Sequence, residues 1–128
     1  MAAAVGELIR ESLELADVEI EYYHDLQTNV LSFSLVGTVF RIVQESLTNA
    51  CCHSQSKKIQ VELTEQDKCI RILVQDWGIG FDPENVEEGH FGLHGIQTRA
   101  EQIGGKAVIT SSPGTGTSVF VEIPIPEV

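Results

Sequence analysis

The chain has 128 residues, a hydrophobic fraction of 42% and a formal net charge of −11, enough for one domain, residues 1–128, that buries about two thirds of its unfolded surface. That charge argues against a nucleic-acid partner, whose phosphates need a basic surface, and no apolar run approaches the ~20 residues of a membrane span. Three cysteines form an odd set without framework spacing, and the start Met1–Glu7 lacks a basic region followed by an apolar one, so a reducing, cytoplasmic setting is expected, without membrane contact by this domain.

In chain order, residues 3–15 carry Leu8, Ile9, Leu13 and Leu15 mostly on one stripe between charged Glu7, Arg10, Glu11 and Glu14, the pattern of an amphipathic helix. Val18 to Tyr22 alternates and predicts a strand, and His24 to Phe33 reads as a connection. From Ser34, a candidate N-cap, the apolar positions Leu35, Val39, Ile42, Val43, Leu47 and Ala50 predict a long helix ending near His53. Lys58–Glu65 and Cys69–Gln75 predict two strands around the turn Gln66-Asp67-Lys68. Residues 82–91 hold Pro83, Asn85 and four acids, the composition of a short, polar, mobile loop. Phe91 to Ile103 predicts a helix that stops at Gly104-Gly105. Lys106–Ser111 and Thr117–Pro124 predict a hairpin. The order is an α+β pattern: helices packed as one layer on one face of a mixed, mainly antiparallel sheet.

Two features carry chemistry. Arg41, Glu45, Asn49 and His53 recur every four positions and form a polar stripe on the Ser34 helix. From spacing alone this is either a solvated face or the wall of a pocket. The second is Asp76-Trp77-Gly78-Ile79-Gly80 at a strand end. A carboxylate there leaves an acceptor beside backbone that a planar ligand can approach closely. Trp77 reads as a packing residue. Cys51-Cys52-His53 does not read as a zinc site, because adjacent helical residues point in different directions and Cys69 is the only other cysteine.

Asn49 on its helix, Asp76-x-Gly78-x-Gly80, Gly92-Leu93-His94-Gly95 and Gly114-Thr115-Gly116-Thr117, in this order, resemble the ATP-binding domain of sensor histidine kinases. That domain belongs to the superfamily of gyrase, heat-shock-90 chaperone, mismatch-repair and histidine kinase ATPases, and its two-layer α/β sandwich is the Bergerat-type fold. The resemblance covers residues 1–125 and is densest from Arg41 to Pro124. Arg41 to Ala50 is similar to the N box of histidine kinases related to nitrate and desaturase sensors. The resemblance implies nucleotide motifs within residues 41–117 and a lid at 82–91. It implies ATP contacts at Asn49, His53, Asp76, Gly78, Gly80, Gly92, Leu93, His94, Gly95 and Thr117. Asn49 would be the Mg²⁺ ligand and Glu45 the catalytic residue that aligns or deprotonates a group near the γ-phosphate. Asp76 would accept a hydrogen bond from the adenine exocyclic amine.

Some positions depart from the family pattern. Cys52 stands where a lysine commonly helps to hold phosphate, His90 replaces a glycine, and Thr98 replaces a glutamate; Arg99 reads as a structural salt-bridge residue. His24-Asp25 invites comparison with the phosphoacceptor histidine, but only 24 residues separate His24 from the N-box asparagine, too few for the upstream helical hairpin. An acidic ATP-binding protein should depend strongly on Mg²⁺. The implied partners are ATP, a histidine-containing dimerisation domain outside this chain and, indirectly, a response regulator. The implied setting is cytoplasmic, including the cytoplasmic part of a membrane-bound sensor. Two other readings stay open here: an anti-sigma-factor-like serine protein kinase, and a non-catalytic nucleotide-sensing module.

Overall fold

The computed structural model describes residues 1–15, 18–27, 32–53, 55–80 and 93–125, with backbone only at 13–15, 52–53 and 93–94. In chain order the elements are α1 (Ala2–Leu15), β1 (Glu19–Asp25), α2 (Phe33–Thr48), a π-helical turn (Asn49–His53), β2 (Lys58–Gln66), β3 (Cys69–Asp76), α3 (Leu93–Gln102), β4 (Lys106–Ser112) and β5 (Gly116–Pro124). The five strands form one sheet in the order β1-β2-β3-β5-β4. Only β1–β2 is parallel, because α2 carries the chain back across the sheet between them; the other three pairs are antiparallel. The α+β architecture expected from the pattern is therefore present, with α1, α2 and α3 on one face.

Strand alternation decides which face is covered. Ile59, Val61 and Leu63 of β2, Ile70, Ile72 and Val74 of β3, and Val119, Val121 and Ile123 of β5 are buried under the helices. Val5, Leu8 and Ile9 of α1, Leu35, Val39, Ile42, Val43 and Leu47 of α2, and Ile96 and Ala100 of α3 supply the opposing layer. The other face of the sheet stays open, with Val108 exposed. Asp76 is the next inward position after Ile70, Ile72 and Val74, so the same alternation that builds the core carries one carboxylate to its rim.

Some local expectations need correction. The N-cap of α2 is Ser32, not Ser34: Ser32 Oγ accepts from the Leu35 amide at 3.1 Å, three residues on, as capping geometry requires. The strand β1 runs through His24 and Asp25, so His24 lies in a sheet rather than in a connection. Trp77 is 49% exposed, with Lys58 Nζ 5.6 Å from its ring centroid, and is not packed in the core. Gly104, at φ +80°, ends α3 as its sequence predicts, and the Gly105 amide caps the Ala100 carbonyl at 2.8 Å.

Candidate functional site

The end of β3 and the tip of the β4–β5 hairpin are joined backbone to backbone. Gly80 has φ +63°, and a Cβ there would run into the Ser112 carbonyl; Gly116 has φ +91°, and a Cβ there would run into the Asp76 carbonyl. The Gly114 amide donates to the Ile79 carbonyl at 2.6 Å. The close approach at Gly80 and Gly116 is thus made to the protein's own chain.

This junction fixes Asp76. The residue is 5% exposed, and its Oδ1 accepts from the Gly78 amide at 2.9 Å and the Thr117 amide at 3.2 Å. Its Oδ2 makes no hydrogen bond among the described residues. Burial raises the Asp76 carboxyl above its ordinary value, and the amides of Gly78 and Thr117 pull against that rise. The Thr117 hydroxyl is 2.9 Å from Ser111 Oγ, which also donates to the Gly116 carbonyl. On the other flank, Ser56 Oγ accepts the Trp77 amide at 3.1 Å. Ser111 and Ser56 hold the site's frame and were not singled out from sequence. Ser111 was in principle recoverable as the cross-strand partner of Thr117; Ser56 lies just before β2 and carries no local signal.

A depression of about 160 Å³ lies beside this hairpin, lined in part by Gln75, Asp76, Thr110, Thr117 and Ser118. Gln75, Thr110 and Ser118 belong to the outward row of the sheet, so it opens away from α2. It is also below the ~300–1,000 Å³ usual for small-molecule sites. The inward carboxylate of Asp76, not this depression, marks the candidate ligand side.

The second part of the site lies between α2 and α3. Glu45 Oε1 accepts from Arg99 Nε at 2.9 Å. Glu45 Oε2 is buried without a hydrogen-bond partner among the described residues, and so is Asn49 Nδ2, one turn along. At Asn49 α2 ends: its amide is shared between the Glu45 and Ser46 carbonyls, as is common at a helix terminus, and a π-helical turn, Asn49–His53, follows. The four-residue stripe therefore does not continue unchanged to His53, and at its other end Arg41 is exposed. Glu45 and Asn49 stay together in the α2 wall. Rotation of the Asn49 carboxamide offers its oxygen where the orphaned nitrogen stands, which fits a hard cation taking a single neutral ligand from the protein. Among the described residues no group of three or more His, Cys, Asp or Glu could hold a metal unaided.

Gly95 lies in the first turn of α3, beside Glu45. Leu93 and His94 precede it with backbone only, the His53 side chain and Gly92 lie outside the described residues, and so does the whole segment 82–91. Asp76, Gly78, Gly80 and Thr117 are thus gathered at one end, and Glu45, Asn49 and Gly95 at the other.

A family described as histidine kinase-, DNA gyrase B- and HSP90-like ATPases matches residues 36–127. The chain is 36% identical over 119 residues to the sensor histidine kinase LiaS of Bacillus subtilis (strain 168), covering 93% of this chain and 32% of that protein. It is 33% identical over 108 residues to the sensor protein VraS of Staphylococcus haemolyticus (strain JCSC1435), covering 84% of this chain and 31% of that protein. The chain thus spans about a third of the length of these curated relatives. The blue-light activated histidine kinase of Erythrobacter litoralis EL346 superposes with a TM-score of 0.79 over 94% of this chain and 40% of that one, at 23% identity, a likeness of fold.

Proposed function

This chain belongs to the histidine kinase-, DNA gyrase B- and HSP90-like ATPase family as the ATP-binding catalytic domain of a sensor histidine kinase, and we propose that it binds Mg·ATP and supplies the γ-phosphate to a histidine on a separate dimerisation domain. A response regulator would then take the phosphate. In this reading residues 1–128 act as one domain, in the cytoplasm. No helix among the described residues is long and apolar enough to cross a membrane.

The observation that carries the reading is the state of Asp76. Its Oδ1 is held by two amides while Oδ2 makes no bond among the described residues, so the carboxylate is oriented before any ligand arrives. An adenine exocyclic amine can donate to Oδ2. Guanine presents an oxygen there, which would set two acceptors face to face. The Thr117 amide and hydroxyl brace the same edge.

At the other end, Asn49 would contribute the protein oxygen to Mg²⁺. When bound, the ion neutralises phosphate charge in a domain of net charge −11. The amides opening α3, at Leu93, His94 and Gly95, lie in a first turn whose N–H groups have no intrahelical partner and suit an anion. Glu45 would align the nucleophile. As the imidazole nitrogen attacks the γ-phosphorus, the phosphorus–oxygen bond to ADP breaks with its electron pair leaving on ADP. The proton on the far imidazole nitrogen moves toward Glu45 Oε2.

Calorimetric titration with ATP and GTP, each with Mg²⁺ and with chelator, tests the binding half. ATP with Mg²⁺ should bind at least roughly tenfold more tightly than GTP, and chelator should weaken it. Equal affinities for the two nucleotides would remove Asp76 from its role.

A further inference from the structure

We infer that α3 positions the carboxylate of Glu45, with Arg99 and Gly95 as the positioning residues for phosphoryl transfer. The inference rests on the role assigned to Glu45 above and adds two residues on a different helix.

The geometry is specific about how the carboxylate is held. Arg99 uses a single N–H, from Nε, on a single oxygen, Oε1. A guanidinium serving only as a clamp between helices has a better option, the two-pronged fork that engages both carboxylate oxygens. Here the fork is not used, and Oε2 stays buried and unpaired among the described residues. An orphaned buried oxygen is a cost to the fold. It is tolerable in a catalytic domain if that oxygen is reserved for a donor that arrives with the reaction.

Gly95 supplies the second half of the argument. It sits within a helix, where glycine is unfavourable relative to alanine, and no unusual backbone angle explains it, since it is absent from the positive-φ glycines. A Cβ placed on Gly95 would stand 3.1 Å from Glu45 Oε2 and 3.8 Å from the two other carboxylate atoms. The missing side chain spares Oε2, itself buried, a contact tighter than van der Waals. Gly95 and Arg99 are four residues apart and so share one side of α3. Ile96 and Ala100, fully buried, seat that helix on the core. One residue holds Oε1 and the other clears the space beside Oε2.

Because Gly95 also lies in the first turn of α3, the element assigned to the phosphates and the element that aims Glu45 are one rigid helix. A nucleotide held at the start of α3 thereby bears on the carboxylate.

The test uses the whole chain, Mg·ATP and a supplied histidine dimerisation domain. The variants are Arg99→Gln, Arg99→Lys, Gly95→Ala, Glu45→Gln and Glu45→Gln/Arg99→Gln. Binding by calorimetry, thermal midpoint, and kcat and KM for Mg·ATP are measured on each. Arg99→Gln should lower kcat about tenfold while changing Mg·ATP affinity no more than about twofold, and Arg99→Lys should recover part of the loss. In the Glu45→Gln background, Arg99→Gln should cost less than about twofold more, because it acts through a group already removed. Gly95→Ala should melt no lower than the unmodified chain and still transfer phosphate roughly fivefold more slowly.

Losses at Glu45 and Arg99 that simply multiply would overturn the inference, and so would Gly95→Ala at the unmodified kcat. The Gly95 variant keeps the test decisive should loss of Arg99 unfold the chain. An unmodified chain that binds no Mg·ATP would instead overturn the nucleotide reading, before any variant is compared. Glu45→Gln transferring at the unmodified rate would overturn the role of Glu45, and this inference with it.

Discussion

The two ends of the candidate site are built on opposite principles. At the hairpin end, Asp76 Oδ1, the Thr117 hydroxyl and the Trp77 amide all have protein partners, and glycines let backbone press on backbone. At the α2–α3 end, Glu45 Oε2 and Asn49 Nδ2 are buried without partners among the described residues, and the glycine there faces a side chain. At the hairpin end folding pairs these groups and leaves one acceptor, Asp76 Oδ2, without a hydrogen bond among the described residues, as suits a site that selects a flat, neutral base by shape and one acceptor. The α2–α3 end is left short of hydrogen bonds, as suits a site completed by a charged ligand and its cation.

The largest expected effect would break the hairpin end outright. Gly116→Ala puts a Cβ into the Asp76 carbonyl at a backbone angle that L side chains rarely adopt. It should cost about 2–4 kcal/mol of stability in a urea melt and weaken ATP binding with it. The contrast with Gly95→Ala, which should leave stability intact, measures how differently the two ends use glycine. A Gly116→Ala chain as stable as the unmodified one would show that the junction is not rigid.

Next in size, Asp76→Asn should lose about 2 kcal/mol or more of ATP affinity by placing a donor where the acceptor stood. The preference for ATP over GTP should shrink with it. Calorimetry on both nucleotides reads both quantities, and an unchanged ratio would count against base selection at this end.

Asn49→Ala should cost about 1 kcal/mol of ATP affinity with Mg²⁺ present, and much less in chelator. It should leave the melting point equal or slightly higher, because a buried, unpartnered amide is removed. An equal loss with and without Mg²⁺ would move Asn49 from the ion to the nucleotide itself.

The smallest effect is a pH dependence at the hairpin end. Burial raises the Asp76 carboxyl above the ordinary aspartate value, which is about 3.9. With the folded value above the unfolded one, this group's contribution to stability is complete below the unfolded value and is lost as pH rises through the folded one. ATP affinity runs the other way. It falls as acid protonates the acceptor, with a midpoint above that of an ordinary aspartate. The ratio of unmodified to Asp76→Asn affinity, taken across pH, cancels titration of the ligand; a flat ratio would show that Asp76 does not titrate in contact with the base.

The sequence made the hairpin end far easier to read than the other. Ile70, Ile72 and Val74 alternate into Asp76, so strand periodicity alone places the carboxylate on the helix side, and Gly104-Gly105 marks the end of α3 by local chemistry. What resisted reading depends on tertiary contact or on small slips of hydrogen bonding. Ser32 and Ser34 are equally good caps by composition, and only the observed start of α2 chooses between them. The π-helical turn that follows α2 at Asn49–His53 is a change of hydrogen-bond register, invisible to apolar spacing. The Arg99–Glu45 bond joins residues 54 apart in the chain. Trp77 follows a strand of core residues, yet the turn after Asp76 leaves it half exposed against Lys58.

The one parallel ladder has a consequence for how the molecule opens and for what it avoids joining. Strand β1 meets the rest of the sheet only along Glu19–Asp25 opposite Lys58–Thr64, with the Tyr22 hydroxyl fastening it to the start of α1 through the Ala2 carbonyl at 2.9 Å. The remaining strands β2, β3, β5 and β4 are linked by antiparallel ladders that do not need it. Strand β1 is therefore expected to open while Asp76 and its amides stay in register, and its backbone protons should exchange with solvent ahead of those in β3. Such an opening would bare the flank of β2, and in the closed state β1 is itself a sheet edge open to pairing with another chain. The outward row of β1 carries Glu19, Glu21 and Asp25, and a second copy pairing there would set like charges side by side, so the acidity that complicates phosphate binding also guards this margin against aggregation.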